Sequence, residues 1–184
     1  MNCVDVIKNK EDIEKIKIVL KSENYRNYFL FLMGINTGLR ICQLLSLKVG
    51  DLLNEEVEVR NFILIDGVEY VLNETIRKSF FHYIGEDIQA VDRDMYLFKS
   101  KRGDHPIERV QAYRILNTAG VKAGLDIKFG THTLRKTFGY HFYLQYRDLK
   151  YLQKLFHHSN INMTANYIGI NEENLVKKYR SFDL

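Results

Sequence analysis

The sequence predicts a mainly helical α+β domain with one small antiparallel hairpin in its first third, and three observations carry that prediction. Apolar residues recur at helical spacing on both sides of a single stretch of period two. That stretch is interrupted by Asp66-Gly67, a dipeptide suited to a two-residue hairpin turn. One proline and 11 glycines among 184 residues permit long uninterrupted helices and exclude collagen-like and low-complexity chains.

From Asn9 the pattern Ile13, Ile16, Val19, Leu20 sets a first helix. Asn24 opens a second, NYRNYFLFLMGIN, which is apolar on most faces and therefore belongs at the centre of the core. Thr37-Gly38 breaks it, and ICQLLSLK after Arg40 predicts a short helix ending at Gly50. VEVRNFILIDGVEYVL then alternates and supplies both strands of the hairpin. Asn73 caps a helix running to Gly85, and MYLF at 95–98 reads as a short strand or an extended loop. Pro106 suits the first turn of a helix through Ala112 and Leu116 to about Ala123, stopped by Gly124. Thr131 is read as the cap of HTLRKTFGYHFYLQY, and Arg147 to Phe156 as the next helix. Asn160 caps a short one ending at Gly169, and Glu172 to Tyr179 forms the last. With no repeat, linker or domain boundary, residues 1–184 are expected to fold as one domain.

With 46% hydrophobic and 27% charged residues, the chain has the makeup of a globular domain. No apolar run reaches the ~18 residues a membrane span needs, and the first helix is rich in Lys and Glu. The expected location is therefore the cytoplasm. Cys3 and Cys42 form no CxxC and have no neighbouring histidine cluster, which argues against a disulfide scaffold, a zinc module or a redox pair. The formal charge of +4 is unevenly spread: net +1 over 1–30, −5 over 31–98, +8 over 99–154 and 0 over 155–184. Positive charge concentrated in one third of the chain points to a polyanion as partner.

Three segments carry candidate chemistry: TGLR at 37–40, HTLR at 132–135 and HHSNINMTANYIG at 157–169. His132 and Arg135, three apart on a helix, share a face near a helix N-terminus, where free N–H groups favour a phosphate. Arg40 can add a second guanidinium fork, and two forks can clamp both non-bridging oxygens of a phosphodiester. His158 and Tyr167, separated by the capping Asn160, can face the same centre across a turn. A tyrosine is a useful nucleophile there, because attack stores the bond as a phosphotyrosine that a DNA hydroxyl can reverse. Six histidines form neither HExxH nor an HxH pair, so a zinc site is not expected. The series Phe138, Phe142, Tyr146 reads as core.

On these segments the chain resembles the tyrosine recombinase (phage integrase) family, in particular its short bacterial and phage members that consist of the catalytic domain alone. TGLRICQLLSLKVGDL is similar to the family's first arginine box, with Arg40 as the catalytic arginine and Gln43 in the supporting place that often holds an acid. THTLRKTFGYHF is similar to the second, placing His132 and Arg135, and HHSNINMTANYI to the closing box, placing His158 rather than His157, with Tyr167 as nucleophile. The resemblance implies the catalytic-domain fold of that family, with no N-terminal core-binding domain between Met1 and Arg40. It implies a site-specific recombinase or integrase that forms a 3′-phosphotyrosyl link and needs no metal or cofactor. Both arginines and His158 would stabilise phosphate charge, while His132 would assist proton transfer. Lys136 and Arg60 are expected on DNA. The family's usual hairpin lysine is absent, since no lysine lies between Lys48 and Lys78. Arg60 is a poor substitute acid, because guanidinium keeps its proton. The alternative reading is therefore a catalytically impaired DNA-binding protein on the same fold, such as a phage regulator or accessory factor. After Tyr167 the apolar set Leu175, Val176, Tyr179, Phe182 and Leu184 suggests a tail that covers its own core or, as the resemblance implies, docks on a neighbouring subunit.

Overall fold

Two asparagines divide the N-terminal third into a pair of helices. The Asn9 side chain accepts from Glu11 N and starts α1, Lys10–Glu23; Asn24 accepts from Asn27 N and starts α2, Tyr25–Thr37. The computed structural model describes residues 6–85, 90–126, 128–130 and 132–170. Phe29 to Gly34 of α2 are all buried, and α2 packs on α1, α4 and α6, the central place its apolar surface predicts. It ends at Gly38, whose φ of 71° is the left-handed cap that glycine adopts without strain.

The short α3, Ile41–Ser46, stops earlier than expected. Lys48 is extended and bridged to Tyr96 of the MYLF segment, so a 3-10 turn over Val49–Leu52 replaces the last helical turn. Strands β1, Phe62–Ile65, and β2, Val68–Val71, pair antiparallel with Ile65 opposite Val68. Asp66 (φ 51°) and Gly67 (φ 74°) form the turn between them, both left-handed as a type I′ hairpin requires. Ile63 and Tyr70 point inward, while Phe62, Leu64 and Val71 face outward.

Asn73 caps α4, Glu74–Ile84, through Ile76 N, as its sequence predicts. Pro106, by contrast, lies ahead of α5, Arg109–Lys122, rather than in its first turn. It pairs with Lys99 in an isolated bridge, an extended edge position that a residue without N–H also suits, and Glu108 takes the cap place. Gly124 follows α5 with φ 73°. Helix α6, Thr133–Tyr146, begins one residue later than read: His132 occupies the cap position, and Gly130 N donates to Thr133 Oγ1. Thr131 lies outside the described residues. Arg147 belongs to no helix, because it terminates α6 in a left-handed conformation (φ 58°) and leaves Asp148 to cap α7, Leu149–Phe156. Aspartate can accept from Tyr151 N at that position and arginine cannot.

Asn160 caps the final described helix, α8, Ile161–Tyr167. The expected helix from Glu172 to Tyr179, and Cys3, lie outside the described residues; Cys42 is an exposed free thiol. The aromatic series on α6 is core only in part: Phe138 and Phe142 are half-buried, but Tyr146 is 60% exposed because α6 runs past the edge of the core. No helix among the described residues is long and apolar enough to cross a membrane.

The approach of α6 to α2 is what positions the site. A Cβ added at Gly34 would lie 2.5 Å from Leu134, and one at Gly38 would lie 2.4 Å from Phe138. Glycine at both places lets the first turns of α6 sit directly against the end of α2.

Candidate active site

Arg135, in the first turn of α6, is only 3% exposed. Its Nη1 donates to Gly38 O at 2.6 Å and its Nη2 to Leu155 O at 3.3 Å, and its guanidinium lies 4.3 Å over the Phe156 ring. One side chain thus joins the end of α2 to the end of α7. Leu155 O also accepts from Tyr70 Oη at 3.4 Å, which ties the inner face of the hairpin to the same point. Burial lowers the Arg135 pKa from its ordinary value, yet guanidinium starts so high that it stays charged at neutral pH.

His158 is fixed by the reversal after α7. His157 turns left-handed (φ 54°), so His158 N donates back to Gln153 O at 3.0 Å while Gln153 Nε2 donates to His158 O at 3.2 Å. The His158 ring then meets Thr164 Oγ1 through Nδ1 at 3.0 Å. Tyr167, at the end of α8, hydrogen-bonds through its hydroxyl to His132 Nδ1 at 3.0 Å. Its ring packs edge-on against His158, Phe156 and His132, with centroids 5.1, 5.5 and 5.8 Å away. Lys136 Nζ stands 5.4 Å over the same ring.

Arg40 caps α3. Its N–H donates to Gln43 Oε1 at 3.0 Å, and Gln43 Nε2 donates in turn to Asp66 Oδ2 at 2.9 Å, so the hairpin turn braces the residue that starts α3. The Arg40 charge is felt by His132, Arg135, His158 and Tyr167 alike.

The five sequence-predicted residues Arg40, His132, Arg135, His158 and Tyr167 therefore share one centre, and its electrostatics are consistent. Burial, then the charges of Lys136, Arg135 and Arg40, hold His132 below the ordinary histidine range; burial, then Arg135 and Arg40, do the same to His158. Burial pushes the Tyr167 phenol up to about 12, partly opposed by Arg135 and Arg40. At neutral pH the centre presents fixed guanidinium charge, two neutral imidazoles and a protonated phenol hydrogen-bonded to one of them. Such a centre can hold an anion and can take a proton from the tyrosine.

Arg60 lies apart from this cluster: its Nε donates to Leu53 O at 2.8 Å, outside the hairpin. Sequence reasoning missed Tyr70, Gln153, Phe156 and Thr164. Only Thr164 had a local signal, being one helical turn before Tyr167 on the same face.

A mainly α-helical domain with one hairpin and this grouping of arginine, histidine and tyrosine is the catalytic-domain fold of the tyrosine recombinases. The chain belongs to the phage integrase family, whose model matches residues 8–174. Probable integrase/recombinase YoeC of Bacillus subtilis (strain 168) is 39% identical over 190 residues, covering 99% of this chain and 98% of that protein. The crystal structure of XerA recombinase superposes with a TM-score of 0.76 at 23% identity, over 96% of this chain and 63% of that one. XerH site-specific recombinase bound to its difH substrate, a pre-cleavage complex, gives 0.68 at 22% identity, over 98% of this chain and 55% of that one. The chain thus spans somewhat over half the length of these two solved recombinases.

Proposed function

We propose that the protein is a site-specific DNA recombinase or integrase that works in the cytoplasm and breaks and rejoins DNA through a 3′-phosphotyrosyl intermediate. The observation that carries this reading is the Tyr167 hydroxyl resting on His132 Nδ1 beside Arg135 and within the field of Arg40. The Tyr167 oxygen attacks the scissile phosphorus and its proton passes to His132. The bond from phosphorus to the 5′-oxygen breaks, and that oxygen leaves as a hydroxyl after taking a proton from solvent water. Arg40, Arg135 and His158 meet the charge that builds on the non-bridging oxygens. Attack of a 5′-hydroxyl from a second strand runs the same steps in reverse and rejoins the DNA. No cofactor or metal enters this scheme. Lys136, beside the nucleophile, and the exposed Arg60 are assigned to DNA contacts, along with the positive potential of 99–154.

The decisive experiment incubates the protein with nicked or suicide duplexes carrying its site and looks for a protein–DNA adduct that survives denaturation. The adduct is expected with the natural sequence and lost in Tyr167→Phe. Salt-sensitive DNA binding with no adduct would replace this reading by that of a binding protein on a recombinase fold.

The apolar residues of the segment after Tyr167 are assigned to docking on a second copy bound to the same DNA. Size-exclusion profiles with and without DNA check this, and identical profiles for the full chain and a chain ending before Asn171 would remove it.

A further inference from the structure

The Thr164 side chain is completely buried, at 0% exposure, and its hydrogen-bond partner among the described residues is Nδ1 of His158, 3.0 Å from Oγ1. A threonine hydroxyl carries one proton, and in a place closed to water that proton needs a protein acceptor. A neutral imidazole offers one at Nδ1 only when its own proton sits on Nε2. In the opposite tautomer Nδ1–H would donate to Oγ1, and the buried hydroxyl proton would have no acceptor.

The ring cannot easily escape this choice. Gln153 holds both the N–H and the C=O of His158, and Phe156 and Tyr167 pack against the imidazole at 5.5 and 5.1 Å. We propose that Thr164 is a positioning residue that fixes His158 as the Nε2–H tautomer, so that the ring meets the phosphate as a hydrogen-bond donor. The proposal rests on the reading of the cluster as a phosphodiester site. Its consequence is a matter of sign. Burial and the two arginines keep His158 uncharged near neutral pH, so it can favour a phosphate oxygen only through an N–H. With the ring proton on Nδ1, the same side chain would turn a lone pair toward an anion and work against the reaction.

The test is long-range 1H–15N correlation of the histidine rings in the full-length, 15N-labelled protein without DNA near pH 7.5, for the natural sequence, Thr164→Ser and Thr164→Val. The expected result is a single Nε2–H signature for His158 in the natural protein and in Thr164→Ser, and mixed tautomers in Thr164→Val. An Nδ1–H signature in the natural protein would overturn the proposal, and that measurement needs no variant to fold. Unchanged His158 signals in a folded Thr164→Val would overturn it equally.

Single-turnover cleavage of a suicide duplex at saturating DNA then reads the consequence. Thr164→Val should lose about tenfold or more, approaching the ~10²–10³ typical of one lost oxyanion donor, with DNA affinity retained and Thr164→Ser restoring the rate. In a His158→Ala background the same substitution should cost nothing further; an added loss there would refute a role through His158. If the natural protein shows the expected tautomer but forms no adduct with DNA, the catalytic reading falls while the tautomer assignment stands.

Discussion

Gly139→Ala places a methyl group between α6 and the segment carrying Tyr167, the proposed nucleophile. The new Cβ would lie 2.7 Å from Ile168 Cγ2 and 2.9 Å from the Phe156 ring, where ordinary contact begins at 3.4 Å, so these neighbours must retreat by about 0.5–0.7 Å. Both are fully buried, at 0% and 1% exposure, and have little room to do so. Overpacking of this kind costs about 1–3 kcal/mol, and alanine recovers about 1 kcal/mol over glycine in a helix, leaving roughly 0–2 kcal/mol of net destabilisation. At about 2–4 °C per kcal/mol for a chain of this size, Tm should fall by no more than about 8 °C. Catalysis should suffer more. Ile168 directly follows Tyr167, and the Phe156 ring touches Tyr167, His158 and Arg135. If a misplacement of ~1 Å costs about 10²-fold, half that distance should slow adduct formation about tenfold. Thermal unfolding and the time course of adduct formation on a suicide duplex measure both effects. An adduct rate within twofold of the natural protein would refute the view that packing behind the nucleophile sets its position.

The His132 pKa lies below the ordinary value, so the neutral, proton-accepting form is present above that lowered pKa and is lost as pH falls through it. Cleavage at subsaturating DNA should therefore show an acid limb below about 6.5, and Lys136→Met should move that limb to higher pH by removing a neighbouring positive charge. Gln43→Ala removes the acceptor of Arg40 N and the link to Asp66; it should cost about 1 kcal/mol, seen as a Tm drop of about 2–4 °C, and slow cleavage through Arg40. On the proposed reading, in which the hairpin has no lysine to give the leaving oxygen a proton, a DNA carrying sulfur at the scissile 5′-bridging position, which departs without needing one, should be cleaved faster than normal DNA. Equal rates in a single-turnover assay would mean that another group donates it.

What was legible in the sequence was local. Asn73 and Asn160 cap the helices they were expected to cap, and Asn9 and Asn24, where the first two helices were expected to begin, cap those as well, because an N-cap needs only a short acceptor side chain and the N–H groups two or three residues on. Asp66-Gly67 makes its turn for a similarly local reason. Pro106 and Arg147 were misread where a longer-range or competing preference decided: Pro106 pairs with Lys99, and Arg147 takes the left-handed stop of α6. At the site, residue types and spacing named the five side chains, and the resemblance ordered them. The contacts that aim them were not legible. Arg135 to Gly38 spans 97 residues and Tyr70 to Leu155 spans 85, and nothing in either local sequence foretells its partner.

The bond from Tyr167 to His132 has a corollary for assemblies. On the proposed reading, each copy that binds DNA already holds its own Tyr167 hydroxyl against its own His132 before any DNA arrives. Subunits lacking the tyrosine and subunits lacking Arg135 should then fail to complement when mixed on one duplex, because neither can lend its partner the missing half.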